Sequence, residues 1–352
     1  MTTRAEGDPT TAQTSGGPTA TQSGDAPPAV VAVVASAGGV EALTSFVSML
    51  PAGFPAAVLV VLHIPAASPS VLPRILARAG RLPARHPADG EPLARGVIAV
   101  APPDRHLVVA GRHIRLLSGA RENGHRPSAD VLLRSVAEVF GDRAAGVVLS
   151  GTMDDGAAGL RAIAAVSGLT LVQDPEEASF PGMPLAAIAE ASPQFVGPVT
   201  ALAGQVCNWV ARLPGHPGGT GSPAGGPPDD PFDPPLRTSL TCPECGGSLF
   251  SHDLYGASLV RCRVGRTYSL NGLSVGKQEM LEKALWAAVV ELDEQAEVAR
   301  RILKRLGSSG RIAQRQRYQE EVTLAEQRSA ALTGLIRELT AQTSREETRH
   351  YE

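Results

Sequence analysis

Short apolar runs alternate along the first 213 residues with segments in which apolar residues recur every three or four positions. Val30–Ala35 (VVAVVA) and residues 56–62 (AAVLVVL) are continuous and rich in β-branched residues, a pattern typical of strands buried on both faces. Shorter runs of the same kind follow at 144–149 and 169–172. Amphipathic helices are predicted over 40–50, 130–140, 157–166 and 183–190. This alternation predicts a doubly wound, mainly parallel α/β sheet.

Residues 97–117 have a different pattern. Three short β runs are separated there by Pro102-Pro103-Asp104 and by Gly111-Arg112, which are turn signals. We therefore expect an antiparallel edge on the sheet. Ser128 precedes the helix predicted at 130–140 and is a candidate N-cap.

The composition changes sharply at both ends of this region. Residues 1–28 and 214–238 are rich in Gly, Pro, Ser, Thr or Asp, which predicts a disordered N-terminal tail and a linker on either side of a domain at 29–213. A small Cys-containing module is expected at 239–275. Residues 276–346 have a heptad-like seam and predict an α-helical hairpin or coiled coil, packed on itself or through self-association with a partner chain.

The overall composition fits a globular enzyme, with 43% hydrophobic and 19% charged residues. A net charge of -3 and only 4% aromatic residues argue against nucleic acid as a partner. No run of about 18 apolar residues occurs, so no membrane span is expected. The chain lacks an apolar export signal, and its four cysteines include a C-x-x-C pair. These features favour a cytoplasmic protein with a metal site or free thiols over disulfides.

Three polar residues with complementary chemistry stand where predicted parallel strands end. Ser36 follows the first strand, His63 the second, and Asp155 a third. Ligands of open α/β sheets bind outside the carboxyl ends of the strands. A hydroxyl, an imidazole and a carboxylate meeting there would form a catalytic triad for acyl transfer, which requires no cofactor. Taken alone, each residue is more typical of a cap, a satisfied polar group or a turn.

Several neighbouring residues are candidates for stabilising an oxyanion or binding substrate. The Gly38-Gly39 pair lets backbone N–H groups approach a substrate oxygen, and the following helix adds partial positive charge. The candidates are Ala37, Gly38, Thr152, Met153 and Arg126. Arg126 and Asp130 would alternatively pair with each other, and Asp154 competes with Asp155 for the histidine. His86, His106, His113 and His125 are other candidate bases, of which His106 and His113 are expected to be structural or at the surface.

Five ordered motifs between Val30 and Trp209 resemble the catalytic domain of the CheB-type protein-glutamate methylesterases of bacterial chemotaxis. The resemblance places the nucleophile on Ser36, the base on His63 and the acid on Asp155. It implies hydrolysis of glutamyl methyl esters on chemoreceptors with release of methanol, and deamidation of receptor glutamines. The partners that it implies are a methylated receptor and an opposing methyltransferase. The motifs are Ala35-Ser36-Ala37-Gly38-Gly39, Leu62-His63-Ile64-Pro65, Ala101-Pro102-Pro103-Asp104-Arg105-His106, Arg126-Pro127-Ser128-Ala129-Asp130 and the segment 149–156.

The sequence departs from that family's usual pattern in three places. Ala37 stands where the family often has Thr, and Thr152 stands where it has Met. Typical members carry an N-terminal receiver domain, whereas fewer than 30 residues precede the first strand here, so we expect receiver-independent activity. These departures keep open a second hypothesis, a non-catalytic signalling scaffold with a vestigial triad. A nucleotide-binding domain is disfavoured because no Gly-x-Gly-x-x-Gly turn follows the first strand.

The C-terminal module resembles a zinc-ribbon-like module that is appended to some methylesterase relatives. Its candidate metal ligands are Cys242, Cys245 and Cys262, three thiolates of the kind that structural zinc prefers. The fourth position is commonly His in those relatives, but here it is Arg266, which cannot bind metal. His252 is a candidate substitute. The alternative is a metal-free module that folds by packing alone.

Overall fold

The structure is a computed structural model that describes residues 27–213, 236–307 and 311–349. Nearly all of the predicted tail and of the predicted linker therefore lies outside the described residues. Within them the chain forms an α/β domain up to Leu213 and a separate C-terminal part from Leu236 onwards. No helix in these ranges is both long enough and apolar enough to cross a membrane.

The α/β domain is built on a seven-stranded sheet in which all neighbouring strands are parallel. The strands of the domain, in chain order, are β1 (Val30–Ala35), β2 (Ala57–Leu62), β3 (Ala84–Arg85), β4 (Ile98–Val100), β5 (His106–Ala110), β6 (His113–Leu117), β7 (Ala144–Val148), β8 (Leu169–Gln173) and β9 (Phe195–Gly197). The order β3-β4-β2-β1-β7-β8-β9 puts β1 at the centre, with β2 and β7 on opposite sides. The strand order therefore reverses at β1, and the carboxyl end of this strand is the expected ligand crevice.

Six helices cover the two faces of the sheet. They are α1 (Gly39–Ser48), α2 (Leu72–Ala79), α3 (Ala129–Phe140), α4 (Ala157–Ala165), α5 (Gly182–Ala191) and α6 (Val199–Arg212). Val31 and Val33 of β1 pack with α1, α2 and α6, whereas Val30 and Val34 pack with α3, α4 and α5. The prediction of a doubly wound parallel sheet is confirmed, and the four predicted helices agree with the structure to within two residues at each end.

The predicted antiparallel edge is wrong in its position. β4 joins the main sheet as a parallel strand, while β5 and β6 form a hairpin in a sheet of their own. Two successive prolines after β4, followed by Asp104 in a left-handed conformation (φ 58°), take the chain out of the sheet. The hairpin packs instead on α3, where the Val109 amide donates to the Ser135 hydroxyl (3.0 Å).

The C-terminal part begins with a four-stranded antiparallel sheet that we call the Cys module (residues 237–268). Its strands, in spatial and chain order, are β10 (Arg237–Thr241), β11 (Ser248–Leu254), β12 (Ala257–Cys262) and β13 (Thr267–Tyr268). Its main core is small and consists of Cys242, Leu249, Val260, Cys262 and Tyr268, with Leu273 from the helix that follows packed against them.

Two long helices follow, α7 (Leu270–Leu306) and α8 (Ile312–Arg349), and they pack together as the predicted hairpin. Val289, Ala296 and Ala299 are buried between them, and the Ser329 hydroxyl donates to Asp293 (2.7 Å). α7 starts earlier than the predicted boundary at residue 276, because Ser269 caps it by accepting from the Gly272 amide (2.9 Å). Two glycines in its first two turns hid this start, since glycine disfavours a helix interior.

Candidate active site

Ser36 directly follows β1, at the carboxyl end of the central strand. Its amide donates to the carbonyl of Ser150 (2.9 Å), and its carbonyl accepts from the Gly39 amide in a tight turn (2.9 Å). Gly38 in this turn has a φ of 68°, and a Cβ there would lie 2.8 Å from the Ser150 hydroxyl. Backbone conformation and space both require glycine at this position, so the turn fixes Ser36 at the edge of the sheet.

His63 follows β2, and the register of the parallel pair brings it beside Ser36. Ala35 is paired with Leu62, so the next residue of each strand emerges at the same level of the sheet. Nδ1 of His63 lies 3.1 Å from Oγ of Ser36, and Nε2 lies 2.7 Å from Oδ2 of Asp155. A carboxylate only accepts hydrogen bonds, which assigns the proton to Nε2 and leaves the Nδ1 lone pair facing the serine hydroxyl.

Asp155 lies in the loop between β7 and α4 and is almost completely buried. Besides His63, its carboxylate accepts from the Ser128 hydroxyl (2.9 Å) and from the amides of Ala129 (2.8 Å) and Asp130 (3.1 Å). Burial alone would raise the pKa of Asp155, but the hydrogen bond and charge of His63, together with the Ala129 amide, hold it below its ordinary value. The donors belong to the first turn of α3, where the helix dipole favours an anion. Asp155 is therefore held as a carboxylate.

Asp154, its neighbour, points away from the histidine. Its carboxyl is buried near Ser269 and Asn271 at the start of α7, and Oδ1 has no hydrogen-bond partner among the described residues. Burial raises its pKa, and hydrogen bonding to Ser269 offsets only part of that effect. Of the two adjacent carboxylates, only Asp155 reaches His63.

His125 completes the surroundings of His63. The two imidazole rings are stacked, with centroids 3.8 Å apart and planes 6° from parallel. Burial, followed by the proximity of His63, lowers the pKa of His125 to about 4, so this ring is neutral at physiological pH. The sequence identified His125 only as one of several candidate bases and carries no local signal for the stacking.

The other candidate histidines lie outside this arrangement. His106 is buried, with Nε2 3.0 Å from the Ala120 carbonyl and Nδ1 accepting from the Ser128 amide (3.3 Å). His86 bonds through Nδ1 to the Val100 carbonyl (2.9 Å), and His113 is exposed on β6. The structural or surface placement predicted for His106 and His113 is confirmed.

Four of the oxyanion candidates lie in the two loops that meet at Ser36. The amides of Ala37, Gly38, Thr152 and Met153 have no acceptor within the described part of the chain. Met153 has a φ of 64°, which a side-chain-bearing residue adopts only at a cost. Gly151 lies so close to the serine that a Cβ there would be 2.9 Å from Ser36 Cβ and 2.1 Å from Met183 Sδ. The loop that precedes Asp155 is thus packed directly against the serine.

Arg126 does not pair with Asp130, which corrects one of the two expectations for it. Its guanidinium donates to Asp104 Oδ1 (2.7 and 3.0 Å) and to the carbonyls of Ser118 and Gly119. Asp130 is buried instead beneath the Asp155 loop, where it accepts from the amides of Gly156 (2.9 Å) and Gly159 (2.7 Å). Arg126 still lines a cavity of about 290 Å³ beside the triad, with His63, Ile64, Pro65, Ala66, Arg121, Gly124 and His125.

The three predicted cysteine ligands come together in the Cys module. The Sγ atoms of Cys242, Cys245 and Cys262 all lie within 4.8 Å of one another. His252 does not join them, because it lies on β11 three residues beyond Leu249, the partner of Cys262, which is about 10 Å along the strand. Arg266 lies near enough to interact with the charges of Cys242 and Cys245, and its Nε donates to Glu244 Oε2 (2.7 Å). His252 as fourth ligand is therefore a wrong prediction.

Taken together, a doubly wound parallel sheet and a hydrogen-bonded Ser–His–Asp line at its topological switch point define an α/β protein with a site of the serine-hydrolase type. The family model described as CheB methylesterase matches residues 31–206 of the chain. The chain belongs to the CheB methylesterase family.

Individual relatives agree with this assignment. Protein-glutamate methylesterase/protein-glutamine glutaminase 3 of Anaeromyxobacter dehalogenans is 42% identical over 185 residues, which are 52% of this chain and 54% of that protein. A putative enzyme of the same description from Leptospira interrogans is 35% identical over 167 residues, 47% of this chain and 86% of that protein. The crystal structure of the Thermotoga maritima CheB methylesterase catalytic domain has 27% sequence identity, a TM-score of 0.50, and coverage of 51% of this chain and 98% of that domain.

The residues that the family model matches all lie in the α/β domain. The chain spans about half the length of several relatives that it matches, 54% of the Anaeromyxobacter dehalogenans protein and 45% of protein-glutamate methylesterase/protein-glutamine glutaminase 4 of Myxococcus xanthus. The Cys module and the helical hairpin lie outside the matched region.

Proposed function

We propose that this chain is a protein-glutamate methylesterase in which Ser36 is the nucleophile, His63 the general base and Asp155 the residue that orients and stabilises the imidazole. The observation that carries the proposal is the continuous hydrogen-bonded line from Ser36 through His63 to Asp155, at 3.1 and 2.7 Å. The names of the relatives supply the substrate class, a glutamyl methyl ester or a glutamine side chain of a protein.

The first half of the reaction transfers the acyl group to the enzyme. Ser36 Oγ attacks the ester carbonyl carbon while Nδ1 of His63 takes the hydroxyl proton. The resulting imidazolium is stabilised by Asp155, which remains a carboxylate because of its low pKa. Collapse of the tetrahedral intermediate breaks the bond between the carbonyl carbon and the methoxy oxygen, and His63 returns the proton to release methanol.

The second half hydrolyses the acyl-enzyme. Water attacks the same carbonyl carbon and gives a proton to Nδ1, and Ser36 leaves with the proton that His63 returns. The free amides of Ala37, Gly38, Thr152 and Met153 are the donors available to the oxyanion in both halves. Because these donors are backbone groups, replacement of the family's usual side chains at positions 37 and 152 leaves them in place.

The direct test is methanol release from a synthetic peptide that contains a glutamyl γ-methyl ester, followed by a candidate methylated receptor. Wild-type protein should release methanol, and Ser36→Ala should lower the rate by roughly 10⁴-fold or more with its circular dichroism unchanged. Equal rates for the two proteins would refute the proposal.

The competing hypothesis is a signalling scaffold with a vestigial triad. A serine-reactive fluorophosphonate probe separates the two without knowledge of the receptor. Labelling of the wild type that is lost in Ser36→Ala supports the esterase, whereas a folded wild type that is never labelled supports the scaffold.

The expected setting is the cytoplasm, with a methylated receptor as substrate and a receptor methyltransferase as the opposing enzyme. Self-association through the helical hairpin also stays a prediction, and it is supported by exposed apolar side chains on α7, namely Leu281, Trp286, Val290 and Val298. Analytical ultracentrifugation over a concentration series would test it, with Trp286→Glu and Val290→Glu expected to favour the monomer.

For the Cys module we propose a structural zinc ion held by the three thiolates. With Zn–S bonds of about 2.3 Å, thiolate sulfurs around one zinc are about 3.8 Å apart, and a cluster within 4.8 Å needs only small side-chain adjustments to reach that spacing. The guanidinium of Arg266 would offset the negative charge of three thiolates around one divalent ion. Zinc bound there would stabilise a module whose apolar core is small.

Elemental analysis of the purified full chain tests the zinc proposal. About one zinc per chain is expected, lost in Cys262→Ser and retained in Cys207→Ser, whose cysteine lies on α6. Arg266→His should slow the removal of zinc by a chelator, because it supplies the missing fourth ligand. A zinc-free wild type with an unchanged melting temperature after zinc addition would indicate the metal-free module.

A further inference from the structure

The turn that connects the Cys module to α7 packs against a loop of the active site. We call residues 267–271 the docking turn and residues 122–126 the histidine loop, which carries His125. The Asn123 amide donates to the Thr267 carbonyl (2.9 Å), and the Ser269 amide donates to the Asn123 side-chain carbonyl (2.8 Å). Glu122 and Thr267 also form a parallel bridge. The two segments therefore meet through backbone hydrogen bonds, as neighbouring strands do.

Asn123 is the residue through which this contact reaches the triad. It is buried and has a φ of 48°, a conformation that asparagine tolerates better than most residues. While its carbonyl oxygen accepts from Ser269, its amide nitrogen donates to Asp130 Oδ2 (3.2 Å). The amide of Asp130 in turn donates to Asp155 Oδ1 (3.1 Å). Three hydrogen bonds thus connect the docking turn to the acid of the triad.

A second route leads to the base. Glu122 and His125 are closed into a tight turn by two hydrogen bonds, from the His125 amide to the Glu122 carbonyl (2.8 Å) and from the Glu122 amide to the His125 carbonyl (3.2 Å). Asn123 lies inside that turn, so a displacement of Asn123 also displaces His125. The His125 ring is stacked on His63. The position of the docking turn therefore affects both neighbours of the His63 ring, Asp155 and His125.

We infer that the docking turn is a functional part of the active site, and that Asn123 is a positioning residue that holds the histidine loop against His63 and supports Asp155 through Asp130. This inference rests on the proposed esterase function. It gives the C-terminal part a role in the reaction, although the part contributes no group to the triad.

Ser269 offers a matched pair of variants for the test. Its φ is -65°, the value that proline prefers. The preceding residue, Tyr268, belongs to strand β13 and has the extended backbone that suits a residue before proline. Ser269→Pro removes the N–H that bonds to Asn123 together with the capping hydroxyl. Ser269→Ala removes the hydroxyl alone and keeps the N–H, so the comparison isolates the docking contact from the cap.

Full-length proteins are compared on the glutamyl methyl ester peptide and with the fluorophosphonate probe. We expect kcat and the labelling rate of Ser269→Pro to fall at least about 10-fold below those of Ser269→Ala, with KM little changed, because small displacements of catalytic groups are costly. Asn123→Ala should show the same loss. In a proton NMR titration His125 should move from about pH 4 in the wild type towards 6.5 in Ser269→Pro, as the loosened loop exposes its ring.

Equal kcat for Ser269→Pro and Ser269→Ala, with an unchanged His125 titration, would overturn the inference. A loss of activity accompanied by general unfolding in circular dichroism would count against it too, since it would indicate a structural role only. If the wild type released no methanol from the peptide, the proposed function would fail, but the fluorophosphonate rates and the His125 titration would still decide whether the turn positions the site.

Discussion

Strands β1 and β2 of the α/β domain are buried along their whole length, whereas β10 of the Cys module has no buried residue and β12 alternates between buried and exposed positions. In the first case helices cover both faces of the sheet, and the core includes every residue of β1 and β2. In the second, six residues make up the main core. A core that small rarely stabilises a domain alone, so the module depends on its docking contacts and, if the zinc proposal holds, on a metal.

The difference teaches where the precision of the site originates. Ser36 and His63 are adjacent because β1 and β2 are in register, a property of the sheet itself. Asp155 and His125, in contrast, are held by loops whose partners are distant in sequence. Changes in the Cys module should therefore leave the geometry of β1 and β2 intact but disturb the loops that hold Asp155 and His125.

The largest effect is expected from the paired carboxylates. Asp155→Asn should lower kcat by roughly 10⁴-fold, because the amide cannot stabilise the imidazolium and favours the wrong tautomer of His63. Asp154→Asn is the matched control and should leave kcat within a few-fold, since this side chain does not reach the histidine. Methanol release measures both. Similar losses in the two variants would contradict the assignment of Asp155.

The stacked histidine predicts how stability depends on pH. Unfolded His125 takes up a proton near pH 6.5 and the folded residue only near pH 4, so protons favour the unfolded state between these values. The free energy of unfolding should therefore fall by at most roughly 3 kcal/mol as the pH drops through this window. His125→Phe keeps an aromatic ring and should make that dependence shallower, because burial also lowers the pKa of His106, which is left in place. His113→Gln should retain the full dependence.

Urea titrations at a series of pH values measure this effect. Asp155 affects stability at lower pH than His125, because its pKa in the folded protein is below its ordinary value. The stability that it contributes is present above about pH 4 and is lost only as the pH falls further. A pH dependence between 4 and 6.5 that is as steep in His125→Phe as in the wild type would exclude His125 as its source.

Glycines provide a smaller effect that separates the site from the rest of the fold. Gly151→Ala should cost about 1–3 kcal/mol of stability and much of the activity, because its Cβ would collide with Met183 and Ser36. In Gly204→Ala on α6 the new Cβ would have no neighbour within 4 Å, and the free energy of unfolding should rise by about 0.5–1 kcal/mol. Thermal melts of the two variants should shift in opposite directions, and a common shift would disprove the close approach at Gly151.

The smallest effect is expected on the surface of the hairpin. Glu297 pairs with Arg301 four residues later on α7, and both side chains are largely exposed. Glu297→Gln should leave the free energy of unfolding almost unchanged, because an ion pair between exposed side chains contributes little and is screened by salt. A clear loss of stability in Glu297→Gln would indicate that this exposed ion pair contributes to the stability of the hairpin.

The sequence was sufficient for the parallel sheet and four of its six covering helices, because buried strands and amphipathic helices are local signals. Ser36, His63 and Asp155 were identified by their places after strands together with the resemblance to a known family. It could not show that β5 and β6 leave the main sheet, since a hairpin pattern is the same in either place. The stacking of His125 on His63 and the contact between Asn123 and Ser269 were also missed. Both depend on segments that are far apart in sequence, and no local pattern encodes them.

The Cys module has a second attachment point, where Arg161 on α4 donates to the Tyr255 carbonyl (3.0 Å) and lies so close to Gly256 that a Cβ there would be 2.5 Å from the guanidinium. Two well-separated anchors fix an orientation, whereas one would leave a hinge. A chimaera that fuses this C-terminal part to another catalytic domain would thus need both Arg161 and Asn123 in that domain. With only one of the two residues, the C-terminal part would rotate about the single remaining contact.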